Sequence, residues 1–106
     1  MAPRRGEIWR CQFNHPNKRR PVVVLTREEA LPFMRTVIVA EVTSTIRGLS
    51  SEVVVGPDEG LKNISAVNLD NVQTIDQRRL RGYVGTLDER KMGEVCRALA
   101  VATGCG

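Results

Sequence analysis

Short runs of β-branched residues, each closed off by polar or turn-forming residues, constrain this chain more than any other feature. Residues 21–26 read PVVVLT, 36–45 read TVIVAEVTST and 51–55 read SEVVV. Side chains branched at Cβ lose rotamer freedom in a helix and pack well on a pleated surface, so runs this short suit strands. Ahead of them, residues 6–13 alternate: Trp9, Cys11 and Phe13 fall on one side, Arg10 and Gln12 on the other. That is the period of a half-buried strand. SAVNL at 65–69, leading into NVQTID, and GYVGT at 82–86 predict further strands.

The connections are equally marked. Residues 14–20, NHPNKRR, read as a loop, with Pro21 at the first position of the next strand, where proline is tolerated. Residues 27–35 predict an irregular or one-turn helical link, Arg47-Gly48 a turn, Pro57 to Asn63 a loop around Gly60, and residues 76–81 a short helical turn. The chain ends in its clearest helix. Thr86 stands three residues before Glu89, the spacing of a capping box. Met92, Val95, Cys96, Leu99 and Ala102 then form one apolar stripe, and Gly104 is a fitting stop. Many short strands and one helix in 106 residues predict a single domain, 1–106, mainly β, with a barrel-like sheet that closes on itself under the helix.

Composition narrows the function classes. Hydrophobic residues are 42% and charged residues 26%, ordinary for a globular domain, and the longest apolar runs are too short to span a bilayer. The three cysteines, Cys11, Cys96 and Cys105, form no CxxC pair, and His15 is the one histidine, a poor ligand supply for zinc. An odd cysteine count without a signal peptide predicts a reducing cytoplasm, with buried thiols acting as small hydrophobes. The net charge of +4 is concentrated at the start: residues 1–20 hold six basic residues against Glu7, and the rest of the chain sums to −1. Such a local positive field attracts polyanions.

No phosphate-binding glycine loop, GxSxG elbow or HExxH helix is present, and no carboxylate cluster suggests a metal nuclease. What remains is the basic stretch Lys18-Arg19-Arg20 running into a strand, with the polar end Thr43-Ser44-Thr45 of another strand placed beside it. A guanidinium grips phosphate through paired hydrogen bonds, and hydroxyls add donors where charge develops on a phosphate oxygen. RNA brings its own nucleophile, the 2′-OH, so such a set could act with no metal and no cofactor. On the residues alone, a solvated basic loop beside a Thr/Ser strand end is the commoner reading.

Arg5-Gly6-Glu7-Ile8-Trp9, Arg20-Pro21-Val22-Val23-Val24-Leu25, Val39-Ala40-Glu41-Val42-Thr43-Ser44-Thr45-Ile46, the stretch 70–76 DNVQTID with Arg79-Leu80, and the final GTLDERKMGEVCRAL follow one another in order. Together these segments resemble the MazF/PemK toxins, whose matching elements read RGEIW, RPVLV, VAPITST and DQVRTID…RL. The resemblance implies an SH3-like β-barrel with a C-terminal helix, acting as a homodimer. It implies a sequence-specific endoribonuclease that cuts single-stranded RNA, leaving a 2′,3′-cyclic phosphate and a 5′-OH. It also implies a cognate antitoxin that covers the RNA groove. The family's catalytic arginine falls on Arg20 and its threonine on Thr43, while an aspartate assigned as base in one branch falls on Asp70. Arg20 suits electrostatic stabilisation of the phosphorane better than acid catalysis, because a guanidinium stays protonated. Asp70 could take the 2′-OH proton, hold Arg20 in place, or serve as a strand-end acceptor.

The resemblance places RNA binding around His15, Lys18, Arg19, Ser44, Thr45, Asn71 and Gln73. The first loop is shorter than in many members, and Asn71 and Gln73 stand where the family motif has glutamine and arginine. No member's cleavage sequence therefore carries over. The alternatives are a gyrase inhibitor of the related CcdB type and a non-catalytic RNA-binding module. The paired Arg20 and Thr43 weigh against the first, and the 4% aromatic content weighs against the second, since such modules stack bases on aromatic rings.

Overall fold

The computed structural model describes residues 2–13 and 18–105. Its strands are β1 (Glu7–Gln12), β2 (Arg19–Val24), β3 (Thr36–Thr43), β4 (Glu52–Val55), β5 (Ser65–Asp76) and β6 (Leu80–Thr86), and its helix α1 is Glu89–Thr103. All ladders are antiparallel, in the order β4-β5-β3-β2-β1-β6. Short 3₁₀ turns at Glu28–Phe33, Pro57–Glu59 and Gln77–Arg79 fill the predicted connections.

The pleat sorts the side chains onto two faces. On one face, Ile8, Val23, Ala40, Val42, Val53, Val55 and Val67 form a core with Val95 and Ala98 of α1. On the other, Trp9, Cys11, Val22, Val24, Val37, Val39 and Ile75 gather with Leu31 and Leu80. β2 and β3 are therefore buried on both faces, which is why they read as near-continuous apolar runs. At the start of β1, Gly6 takes a φ of 87° and its N–H bonds the carbonyl of Val24. Glu7 then accepts from the Arg4 N–H at 2.7 Å and from the Trp9 indole at 3.0 Å, anchoring the turn into the sheet.

The sheet curls until its two ends meet. The turn that follows β4 packs on β6: Gly60 has a φ of 92°, and a Cβ on Gly85 would collide with the Glu59 carbonyl. β4 and β6 share no ladder, so this glycine-to-glycine backbone contact completes the barrel-like form. The expected mainly β, barrel-like fold with one C-terminal helix is what the chain adopts, and its pairing is antiparallel.

Several local expectations need correcting. Residues 19–20 are strand, and Pro21 is the third residue of β2. It is tolerated there because the β2–β3 ladder stops at Val22–Glu41, so at Pro21 the strand pairs only with Arg10 of β1. The N-cap of α1 is Asp88, whose carboxylate accepts from the Lys91 N–H at 2.8 Å. Thr86 cannot serve, because it ends β6 paired to Glu7, and its hydroxyl meets that of Tyr83. Of the cysteines, Cys11 is buried, whereas Cys96 and Cys105 are exposed. Cys96 lies at the edge of the helix stripe and receives a guanidinium N–H of Arg5.

Two measurements check this fold. Gly85→Ala should lower stability by about 1–3 kcal/mol in chemical denaturation, the usual cost of overpacking against backbone. Burial pushes the Cys11 thiol up to about 11, so it stays protonated and shielded in mildly alkaline buffer. Iodoacetamide should then label Cys96 and Cys105 in the folded protein and Cys11 only in denaturant, read by mass spectrometry.

Candidate RNA-binding cleft

Directly paired residues in a ladder point to the same face, so the registers define rows across the sheet. One row runs Tyr83, Trp9, Val22, Glu41, Asn68, Glu52 through all six strands. It is apolar on β6, β1 and β2 and polar on β3, β5 and β4. Trp9 and Tyr83 close the apolar half edge-to-face, with ring centroids 6.1 Å apart. The next row starts Leu80, Cys11, Arg20, and two steps past the end of the β2–β3 ladder Thr43 comes opposite Arg20.

Where that ladder ends, a cleft opens, lined by Arg20, Glu41, Thr43, Thr45, Arg47, Glu52, Asn68 and Asn71. Arg20 Nη1 donates to Glu41 Oε1 at 2.9 Å, and Asn71 Nδ2 donates to Glu41 Oε2 at 2.7 Å. The Arg20 side chain is 42% exposed and that of Glu41 15%. One end of the guanidinium is therefore held by the cleft wall while the rest faces solvent. The Thr43 hydroxyl oxygen accepts from the Thr45 N–H at 3.1 Å, which leaves its own O–H free to donate. Glu52 Oε1 accepts from the backbone N–H groups of Arg47, Gly48 and Leu49 and so ties down the loop that carries Thr45 and Arg47.

The expected site residues separate in space. Arg20, Thr43, Thr45 and Asn71 meet around this cleft. Ser44 is exposed beside it. Lys18 is exposed, and Arg19 turns to the opposite face, where its Nε donates to Gln12 Oε1 at 2.9 Å. Gln73 lines a neighbouring cleft with Phe13, Thr74, Ile75, Asp76 and Arg79. There Arg78 bonds Asp76 through its guanidinium and its amide, holding that carboxyl down at about 2. Asp70 sits outside the Arg20 cleft, accepting from the Ser51 hydroxyl at 2.5 Å. The reason is an irregularity in β5: Ala40 pairs with Val72 but Glu41 pairs with Asn68, so residues 69–71 are extra. Holding Arg20, one of the roles open to Asp70, is done by Glu41. His15 lies outside the described residues.

Glu41, Arg47, Glu52 and Asn68 were not anticipated. The family element similar to residues 39–45 has proline where Glu41 stands, so the resemblance did not single it out. A glutamate inside an otherwise apolar strand run was the signal available. Among the described residues no cluster of three or more metal-ligating side chains occurs, and no helix is long and apolar enough to cross a membrane.

What the fold and cleft define is a small antiparallel barrel with arginine, threonine and amide side chains lining one cleft. The chain belongs to the PemK-like, MazF-like toxins of type II toxin-antitoxin systems, whose family model matches residues 4–103. It is 45% identical over 104 residues to the probable endoribonuclease MazF5 of Mycobacterium tuberculosis, covering 97% of this chain and 94% of that protein. The solved Mycobacterium tuberculosis toxin MazF-mt6 superposes with a TM-score of 0.87 at 36% identity, covering 94% of this chain and 98% of that one. A mycobacterial endoribonuclease solved in complex with its cognate antitoxin also gives a TM-score of 0.87, at 27% identity, covering 99% and 98%.

The loop anchor is open to test. Glu52→Ala removes the acceptor shared by three amides, so exchange of the Arg47, Gly48 and Leu49 N–H groups should quicken by about tenfold or more in NMR, matching a local loss of about 1–3 kcal/mol.

Proposed function

We propose that the Arg20–Thr43 cleft is where this toxin cuts single-stranded RNA. The protein is an endoribonuclease of the PemK/MazF family, paired with a cognate antitoxin. The observation that carries the site assignment is that Arg20 and Thr43, far apart in sequence, line one cleft, with the Arg20 guanidinium held at one end and otherwise exposed.

The reaction needs little from the protein beyond placement and charge. The 2′-oxygen attacks the adjacent phosphorus, the P–O5′ bond breaks, and a 2′,3′-cyclic phosphate and a 5′-OH result. The 2′-OH gives up a proton and the leaving 5′-oxygen gains one. Negative charge grows on the non-bridging oxygens, where Arg20 supplies fixed positive charge and Thr43 a hydrogen bond. The 2′-OH lies on the substrate, so cleavage is independent of a metal-bound water, and DNA is not cut. On this reading Thr45 and Asn71 of the cleft, the exposed Ser44, and Gln73 and Arg79 of the neighbouring cleft contact the flanking nucleotides. Lys18 and Arg19 add positive field at one end. Asp70, held by Ser51 outside the cleft, is poorly placed as the base, and its support remains the family correspondence alone. Family membership supports a homodimer and RNA as substrate supports a cytoplasmic setting, and the antitoxin would compete with RNA for this surface.

Incubating the purified protein with mixed single-stranded RNA and excess EDTA should give discrete cuts with 5′-OH ends, mapped by sequencing. Arg20→Ala should slow cleavage by about 10²-fold or more while RNA binding persists, and Thr43→Ala should slow it less, as removal of single transition-state donors does elsewhere. RNA left intact by the unaltered protein would favour the gyrase-inhibitor or binding-module alternative.

A further inference from the structure

Glu41 joins the two halves of the cleft. Its Oε1 takes the Arg20 guanidinium and its Oε2 takes the Asn71 amide nitrogen. The second carboxylate in the lining, Glu52, has its Oε1 committed to three backbone N–H groups, so Glu41 is the acidic group that reaches Arg20. An ionised carboxylate can only accept hydrogen bonds. Asn71 must therefore turn its Nδ2 toward Glu41, and its Oδ1 points the other way. Among the described residues nothing donates to that Oδ1, and Asn71 is an exposed residue in the cleft lining.

We propose that Glu41 is a positioning residue that aims Arg20 and, by fixing the Asn71 amide, decides which hydrogen-bonding face the cleft offers to one base of the RNA. The inference rests on the nuclease reading above and adds a specificity device to it. An amide oxygen held outward accepts from an amino group, so adenine N6 or cytosine N4 is favoured at that position. A base that turns guanine O6 or uracil O4 to that oxygen is disfavoured, whereas guanine N1–H or N2 and uracil N3–H can donate to it from the Watson–Crick edge.

Glu41→Gln reorients the amides of the cleft in a set direction. Arginine only donates, so the new Gln oxygen must face Arg20 and its amide nitrogen must face Asn71. Asn71 then flips to meet that nitrogen with Oδ1 and presents Nδ2 to the RNA. The guanidinium stays aimed, and the base preference at that position changes.

The unaltered protein, Glu41→Gln, Glu41→Ala and Asn71→Ala are compared on one randomised single-stranded RNA pool, with initial rates and cut sites read by sequencing and folding checked by a cooperative thermal transition. Glu41→Gln is expected to cut within about tenfold of the unaltered rate, with the base preference at one position of the cleavage sequence changed. Asn71→Ala should lose the preference at that same position, and Glu41→Ala should slow cleavage by about 10²-fold. A Glu41→Gln protein as inactive as Glu41→Ala would make Glu41 a proton acceptor and overturn the positioning role. So would an unchanged cleavage sequence in Glu41→Gln or Asn71→Ala. If the unaltered protein leaves the pool intact, the nuclease reading falls and this inference falls with it.

Discussion

The pairing of β3 with its two neighbours is the constraint on which the rest of the molecule depends. β3 lies between β2 and β5 and buries apolar side chains on both faces. Because the side-chain period is two, a slip of one residue would exchange the helix-facing core for the cleft face. Ala40 and Val42 would lose the packing of α1, and Glu41 would be driven into apolar surroundings. The register is thus held by hydrophobic burial, and the same register brings Glu41 beside Arg20.

Two interruptions of regular pairing make room for chemistry in this otherwise continuous sheet. Pro21 lacks an N–H, and the β2–β3 ladder ends one residue beyond it, at Val22. Residues 69–71 are extra in β5, which turns Asn71 toward Glu41 and carries Asp70 away. Both lie at the same end of β3. Backbone groups freed from the ladder, together with hydroxyl and amide side chains, then line a wet cleft where elsewhere the face is packed.

The electrostatics of that cleft differ from those of a simple basic groove. Its lining holds two arginines and two glutamates. Each glutamate has a structural task, one gripping Arg20 and Asn71, the other gathering loop amides. The cleft is thus distinguished by oriented donors more than by net charge. The excess of positive charge lies in the first twenty residues and in Arg78, Arg79 and Arg81 around a neighbouring surface. Such charge speeds the approach of a polyanion, whereas the proposed action on the reacting phosphate falls to the guanidinium that Glu41 holds in one orientation.

Much of the fold was legible in the amino-acid sequence. The β-branched runs mark the strands because a strand buried on both faces must be apolar throughout, and the stripe from Met92 to Ala102 with Gly104 marks α1. These signals are local, set by pleat and helix period. What the sequence left open depended on neighbours distant along the chain. Arg19 and Arg20 resemble loop residues until β1 pairs with them. Thr86 and Asp88 both suit a helix cap, and pairing of Thr86 with Glu7 leaves Asp88 to serve. Arg20 and Thr43 could be matched to a family pattern, but their meeting, the bonds of Glu41 to Arg20 and Asn71, and the bond of Asp70 to Ser51 were decided by cross-strand register and by the extra residues in β5. By itself the sequence determined which segments become strands and helix, through side-chain shape and hydrophobic period. Only the tertiary structure decided which polar side chains share a cleft, because that depends on the alignment of strands whose residues no local preference connects.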